Sequence, residues 1–244
     1  MKNSPEHAPS HDVNASFRAG GQAVAFLDQI NKASVVALAQ AGILGPEVAR
    51  RIAAGILALI ESESRQPPRG SADYLDYEPR LFAIVGVDAS RLHCGRSRQD
   101  ISATIARMNL RAGLLGECDA LAQARSAILA LAQEHVTTIV PAYTHGVQAQ
   151  PTTLAHYLLA VEAALARSAN RLRAAYGHVN QGPLGAAALT TSSFALDRRR
   201  LAALLGFAGV VENAYDANHL APVDVALEVA AALGIAAVQV GQFA

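Results

Sequence analysis

The chain has 244 residues, of which 52% are hydrophobic, and its 20 Lys and Arg residues balance its 20 Asp and Glu residues. That length suffices for a sizeable core in one or two domains. The zero formal net charge gives no general attraction to nucleic acid or to a membrane surface, so we expect neither as a partner. Cys94 and Cys118 lack disulfide or zinc spacing, which favours a reducing, cytoplasmic location.

Alanine and leucine dominate the chain, tryptophan is absent, and no sustained two-residue alternation indicates a sheet. Proline and glycine mark several predicted helix ends, among them Gly42, Pro46, Gly177 and Gly206. A Pro/Gly-rich stretch at 66–70 predicts a loop. The predicted helices are 23–40, one from Pro46, 72–83, 99–137, 152–176, a short one capped by Asp197, and one from Pro222 onward.

These helices predict an all-α fold, with a small N-terminal helical domain followed by part of a long central helix bundle. We divide the chain into a disordered tail (1–22), an N-terminal helical domain with an arginine-rich turn (23–110) and an incomplete central bundle (111–244). The apolar C-terminal stretch is interrupted by Glu228, Gln239 and three further polar or glycine residues. This composition favours a buried bundle helix over a membrane anchor.

The arginine-rich turn is the first candidate site. Arg96, Ser97, Arg98, Gln99 and Asp100 follow Gly95 and open the first long helix. Forked guanidinium donors, a hydroxyl and the free N–H groups of a helix start are suited to binding a carboxylate. The alternative is a solvated turn in which Ser97 or Asp100 only caps the helix.

The second candidate site is the segment 141–151, between the two long helices. It places a hydroxyl, Thr144, beside a titratable imidazole, His145, in a loop bounded by proline and glycine. Seven other histidines are present, and a lone histidine is more often structural. Loops of this kind carry many active-site residues, which favours His145 as a proton donor.

A third segment, 180–189, is rich in glycine, alanine and proline. Its small residues allow a close approach of the backbone to a ligand, and it is equally typical of a linker.

In order, these segments resemble the argininosuccinate lyase branch of the aspartase/fumarase superfamily. Residues 92–100 resemble the family's L-H-T-G-R-S-R-N-D, and residues 143–151 resemble its Y-T-H-L-Q-R-A-Q-P. Residues 183–189 resemble P-L-G-A-G-A-L, and residues 194–207 resemble the family's F-x-I-D-R and L-L-G-F. Asn213 and Asp216 fit the next family motif, N-S-L-D. Three ordered matches are far more specific than one.

The resemblance implies a homotetramer whose helices form one shared bundle and whose active sites each combine segments of three subunits. It implies β-elimination from a small dicarboxylate substrate, releasing fumarate without a metal or organic cofactor. On this basis Ser97, Arg98 and Gln99, with neighbouring Arg96, bind the succinyl carboxylates. Thr144 and Gln150 also contact substrate, and His145 is the general acid.

Differences from the family motifs leave three hypotheses. The first is an argininosuccinate lyase-like C–N lyase acting in arginine biosynthesis. On this hypothesis the chain is an N-terminal portion of the enzyme or one piece of a split gene with a possible separate C-terminal chain, because the family's catalytic loop, which carries a serine, has no counterpart in it. The second is a lyase for another N-succinyl amine, because Gln99, Val147 and Ala221 replace family residues. The third is a non-catalytic, truncated helical assembly module.

Overall fold

A computed structural model describes residues 21–65 and 72–243. Residues 1–20 of the predicted disordered tail (1–22) and the predicted loop at 66–70 lie outside these residues. The last two residues of the predicted tail, Gly21 and Gln22, are helical and begin α1. Within them, helices account for most of the chain and two small two-stranded sheets for the remainder of the regular structure, so the prediction of an all-α fold is confirmed. The helices are α1 (Gly21–Gln40), α2 (Pro46–Arg65), α3 (Tyr74–Val85), α4 (Arg98–Glu134), α5 (Leu154–Val179), α6 (Arg198–Leu204) and α7 (Ala221–Phe243).

The strands are β1 (Ile139–Thr144) and β2 (Val147–Thr153), which form an antiparallel hairpin, and β3 (Gln181–Gly182) and β4 (Gly209–Val210), which pair in parallel. A 3₁₀-helical segment (Gly86–His93) precedes α4, and a π-helical turn (Asp216–Leu220) precedes α7. The described residues divide into a first unit, 21–65, 72–109 and 180–223, and a second unit, 110–179 and 224–243. The sequence-based division placed 180–223 in the central bundle, whereas its contacts place it with the N-terminal helices.

The first unit has a well-filled apolar core. Leu27, Ile56 and Leu81 are fully buried, one each from α1, α2 and α3. Leu184, Leu201 and Phe207 join the same cluster from the C-terminal part of the unit. Loss of contact with water by this many apolar side chains is the dominant stabilising contribution in such a unit. The returning segment 180–223 therefore completes the core of the first unit.

The second unit is built from heptad-spaced apolar residues on long helices. Leu114, Leu121 and Ile128 of α4 are buried at intervals of seven residues, as are Leu158, Leu165 and Leu172 of α5. Leu115 continues the four- and three-residue spacing of the buried Ile101, Ile105 and Met108, yet Leu115 is 54% exposed and Leu114 is buried instead. The buried stripe changes because α4 packs in the first unit up to residue 109 and in the second from residue 110.

Several predicted helix boundaries differ from the observed ones by one to three residues. The hairpin β1–β2 occupies residues 139–153, which the sequence predicted as a loop (141–151) and as the start of the helix 152–176. Helix α5 continues through Gly177 to Val179, because glycine disfavours helix by only about 1 kcal/mol and tertiary packing overrides it.

The C-terminal helix is far less buried than predicted. From residue 224 onward only Val229 and Ala232 of the described residues are buried in α7. Leu227 and Val238 are 64% and 61% exposed. By length and composition alone, the stretch Asp216–Phe243 is apolar enough to cross a membrane. Of its most apolar 18 residues, 11% are buried. Such an apolar, exposed face indicates a surface suited to covering by other apolar groups.

Candidate functional site

The arginine-rich turn is a helix N-terminus with reciprocal caps. The Ser97 hydroxyl oxygen accepts a hydrogen bond from the Gln99 N–H at 2.9 Å. Asp100 Oδ1 accepts one from the Ser97 N–H, also at 2.9 Å. This reciprocal arrangement is similar to a capping box, so Ser97 and Asp100 both cap the helix, although Asp100 is buried and not solvated. The turn can also bind an anion, because Arg98 and Gln99 are exposed and the positive end of the α4 dipole lies beside them.

Arg98 is the exposed cation of this turn. Its side chain is 56% exposed, and Nη1 lies 3.5 Å from Asp73 Oδ2. Asp73 itself caps α3 by accepting a hydrogen bond from the Leu75 N–H at 3.0 Å. The ion pair is long and solvated and therefore weak, so Arg98 is available to an incoming carboxylate.

Arg96 points the other way, into the first unit. Its residue is 6% exposed, and Nη1 donates to Asn31 Oδ1 and to Ser34 Oγ, each at 2.9 Å. The guanidinium carbon lies 5.0 Å from the centroid of the Tyr74 ring, which also stacks on His93. Burial, together with the charges of Arg96 and Arg98, lowers the pKa of His93 to about 4. Arg96 was predicted to contact substrate. Its guanidinium is instead buried in the first unit, where it ties the turn to α1 and α3.

Asp100 joins the turn to the third predicted segment. Its side chain is fully buried, and Oδ2 accepts hydrogen bonds from the Gly185 N–H at 2.9 Å and the Ala187 N–H at 3.0 Å. Burial raises the pKa of Asp100 to about 6. Of the two interpretations of 180–189, the structure favours a wall beside the turn over a linker, because residues 182–187 are buried against the first unit.

The second candidate segment is the tip of the hairpin β1–β2. Residues Thr144 and Val147 pair, leaving His145 and Gly146 as a two-residue turn with φ of 50° and 74°. Two positive φ values define a type I′ turn, which matches the twist of hairpin strands. Thr144, His145 and Gln150 are all exposed, and Gln150 lies opposite Ala142 in the register. The hairpin therefore presents the hydroxyl and the imidazole together on its outer end.

The predicted site residues fall into two groups. Arg96, Ser97, Arg98 and Gln99 belong to the first unit, and the hairpin residues belong to the second. Within the described ranges, no group of three or more His, Cys, Asp or Glu side chains is arranged to hold a metal ion.

Sequence reasoning missed two groups that shape the site. Asn218 is buried on the π-helical turn, and its Nδ2 donates to the carbonyl oxygens of Ala187 and Ala188 at 2.7 and 3.0 Å. Arg198 donates to the backbone carbonyls of Val211 and Glu212. No local pattern marks such contacts, since they join residues 13 to 31 positions apart.

The fold and these motifs are those of a known protein family. The model of a protein family described as Lyase matches residues 25–244, and the chain belongs to this family. It is 42% identical over 190 residues to the argininosuccinate lyase of Methanosarcina barkeri, an alignment that covers 77% of this chain and 39% of that protein.

Two solved structures share the fold. Superposition on EDDS lyase in complex with formate gives a TM-score of 0.86 with 34% identity, covering 91% of this chain and 44% of that one. A variant of EDDS lyase with bound fumarate gives a TM-score of 0.83 with 35% identity, covering 88% and 42%. The predicted resemblance to this superfamily is confirmed. The chain spans about two fifths of the length of the argininosuccinate lyase that it matches.

Proposed function

We propose that this chain supplies part of the active site of an argininosuccinate lyase-like C–N lyase, which releases fumarate and arginine from argininosuccinate. The observation that carries the proposal is the capped turn at the start of α4. It presents the exposed Arg98, the Ser97 hydroxyl and a helix N-terminus in one place. These groups suit the carboxylates of a succinyl moiety. The identity to argininosuccinate lyases supports the same reaction class.

In the proposed reaction a general base removes a proton from the carbon next to a substrate carboxylate. The electron pair of that C–H bond accumulates on the carboxylate as an aci-carboxylate and then forms the C=C bond of fumarate. The C–N bond breaks, its electron pair leaves with nitrogen, and a general acid protonates that nitrogen. Charge developing on the carboxylate is stabilised by fixed donors that need no reorganisation.

Each predicted residue has a role in this scheme. Ser97, Arg98 and Gln99 bind the succinyl carboxylates, and Arg96 supports their turn from inside the first unit. Thr144 and Gln150 contact substrate from the hairpin, and His145 is the general acid. Such an acid typically contributes ~10²–10⁴ in rate.

The proposed assembly is a homotetramer with sites shared by three subunits, located in the cytoplasm and serving arginine biosynthesis. The apolar residues left exposed by the second unit support association. Leu227, Ile235 and Val238 are exposed along α7 at helical spacing. Burying an apolar stripe of this kind is a strong drive for helix association in water.

A second candidate is a lyase acting on another N-succinyl amine. The similarity to EDDS lyase, one structure of which holds fumarate, favours it. Gln99, longer by one methylene than the family's asparagine, is exposed beside Arg98. One methylene changes substrate discrimination by about 1–3 kcal/mol.

Fumarate measurements on the 244-residue chain test the proposal. We expect saturable binding of fumarate to this chain, measured by calorimetry, and release of fumarate from argininosuccinate in an active assembly that contains it. Arg98→Ala should weaken this binding at least tenfold, since a charge-assisted hydrogen bond is lost. Arg91→Ala is the matched control, because Arg91 is an equally exposed arginine that pairs with Asp88.

The substrate class is tested by running the reaction in reverse with fumarate and a panel of amines. Clear preference for arginine supports the first candidate, and preference for a simple amine supports the second. A chain that associates yet neither binds fumarate nor releases it contradicts both and matches the non-catalytic assembly module.

A further inference from the structure

Both oxygens of the Asp100 carboxylate accept hydrogen bonds from backbone N–H groups. One donor is close in the sequence and two belong to a distant segment. Oδ1 accepts from the Ser97 N–H, and Oδ2 accepts from the N–H groups of Gly185 and Ala187. The latter two lie 85 and 87 positions along the chain from Asp100. Because the side chain is fully buried and its oxygens face these donors, it does not serve as an acid, a base or a ligand for substrate.

The segment 185–188 is held from its other side as well. Asn218 Nδ2 donates to the carbonyl oxygens of Ala187 and Ala188. Gly185 and Ala187 adopt φ of 86° and 54°, a left-handed conformation that is costly for alanine. A side chain at Gly185 would lie 2.9 Å from Arg198 Cγ, so only glycine fits there. An unfavourable backbone conformation persists when its surroundings fix it, and here two buried side chains do so.

The continuation of this segment lies against the arginine-rich turn. A Cβ built on Gly95 would be 3.5 Å from Ser192 Oγ and 3.6 Å from Phe194 Cβ. The turn at 95–99 and the segment 185–194 therefore meet at two points, at Gly95 and through Asp100. The charges facing Asp100 are those of Arg96 and Arg198, both directed into the first unit, which leaves Arg98 as the outward cation.

We propose that Asp100 is a positioning residue that locks the turn 97–99 and the backbone segment 185–188 into one rigid carboxylate-binding wall. The hydrogen bonds from the Gly185 and Ala187 N–H groups to Oδ2 fix the segment 185–188. The hydrogen bond from the Ser97 N–H to Oδ1 fixes the turn relative to that segment. The donors of the turn thus keep one geometry before a dicarboxylate arrives. This inference deepens the proposed function and rests on it.

Amide hydrogen exchange at residue resolution, combined with fumarate binding, tests the inference on the 244-residue chain. Asp100→Asn keeps the shape but replaces one acceptor oxygen by a donor. We expect the amides of Gly185 and Ala187, or of Ser97, to exchange at least tenfold faster, and the dissociation constant for fumarate to rise about tenfold or more. Asn218→Ala should loosen the same segment from its opposite side, and it serves if Asp100→Asn does not fold.

Thr104→Val is the matched control. Thr104 is another fully buried polar residue of α4, and its hydroxyl donates to the Asp100 carbonyl oxygen rather than to its carboxylate. Its removal should lower the melting temperature without affecting exchange at Gly185 and Ala187. A control that weakens fumarate binding as much as Asp100→Asn, at equal loss of stability, would reduce Asp100 to a general structural role and overturn the inference.

Two further results overturn the inference while leaving the proposed function intact. One is unchanged exchange at all three amides in Asp100→Asn. The other is faster exchange with unchanged fumarate affinity in both Asp100→Asn and Asn218→Ala. If the wild-type chain fails to bind fumarate at all, the proposed function fails first and the positioning role fails with it.

Discussion

The first and second units bury their side chains to different degrees. In the first unit, apolar residues from α1, α2 and α3 are fully buried, and even the charged Arg96 and Asp100 lie inside. In the second unit, one heptad stripe per helix is buried while residues such as Leu227 and Val238 remain exposed. The first unit therefore covers its own apolar surface, whereas the second leaves apolar side chains of α7 exposed, which supports the association proposed above.

The largest expected effect concerns the exposed hairpin of the second unit. His145→Asn should reduce fumarate release by ~10²–10⁴, because the proposed acid can no longer protonate the leaving nitrogen. The melting temperature should not change, since His145 is exposed. His156→Asn, an exposed histidine at the start of α5, is the control and should retain activity. Equal turnover in the two variants would contradict the assignment of His145.

Truncating one leucine in each unit tests the difference in burial between the two units directly. Leu27→Ala in the first unit should lower the free energy of unfolding by about 2–5 kcal/mol, because Leu27 is fully buried and a cavity remains. Leu227→Ala in the second unit should change it by less than about 0.5 kcal/mol. The same variant should weaken self-association, measured by analytical ultracentrifugation. A larger loss of stability for Leu227→Ala would show that its face is already covered within one chain.

A buried carboxyl of the first unit gives a pH-dependent prediction. Burial, reinforced by the charge of Glu63, raises the pKa of Asp28 from 3.8 to about 6. The folded chain therefore holds this proton more tightly, so the contribution of Asp28 to stability is fully present below pH 3.8 and is lost as pH rises to about 6. Asp28→Asn should match wild type near pH 4 and exceed it by up to about 3 kcal/mol at pH 7.

Denaturant unfolding at several pH values measures this difference. Comparison with wild type isolates Asp28 from two other groups. Asp100 has a pKa raised in the same direction, while that of His93 is lowered, so His93 favours folding as pH rises from about 4 to 6.5. A difference between the Asp28→Asn and wild-type chains that does not vary between pH 4 and 7 would contradict the burial of a titrating carboxyl.

The smallest expected effect concerns the hairpin turn. Gly146→Ala places a side chain at φ 74°, which should cost about 1 kcal/mol locally without disturbing the first unit. Hydrogen exchange should rise in β1 and β2 only. A global loss of protection would show that the hairpin is coupled to the first unit more strongly than its exposure indicates.

The sequence predicted most helices well because their signals are local. Pro46 begins α2, Asp197 caps α6 by accepting from the Arg200 N–H at 3.0 Å, and Gly206 follows α6 with φ 71°. The hairpin was missed because Pro141 and Pro151 face each other within it and no apolar alternation marks its exposed strands. Local signals also cannot distinguish Leu114 from Leu115 on the buried face of α4.

The amino-acid sequence by itself determined the all-α class and the motifs that place the chain in the Lyase family. It also placed Ser97 next to Arg98, and Thr144 next to His145. These features depend on neighbours within one or two helical turns. Only the tertiary structure decided that Arg96 faces inward while Arg98 faces outward, and that Asp100 binds a segment 85 residues away. Burial and long-range hydrogen bonds depend on which distant residues meet, and a linear pattern does not contain that information.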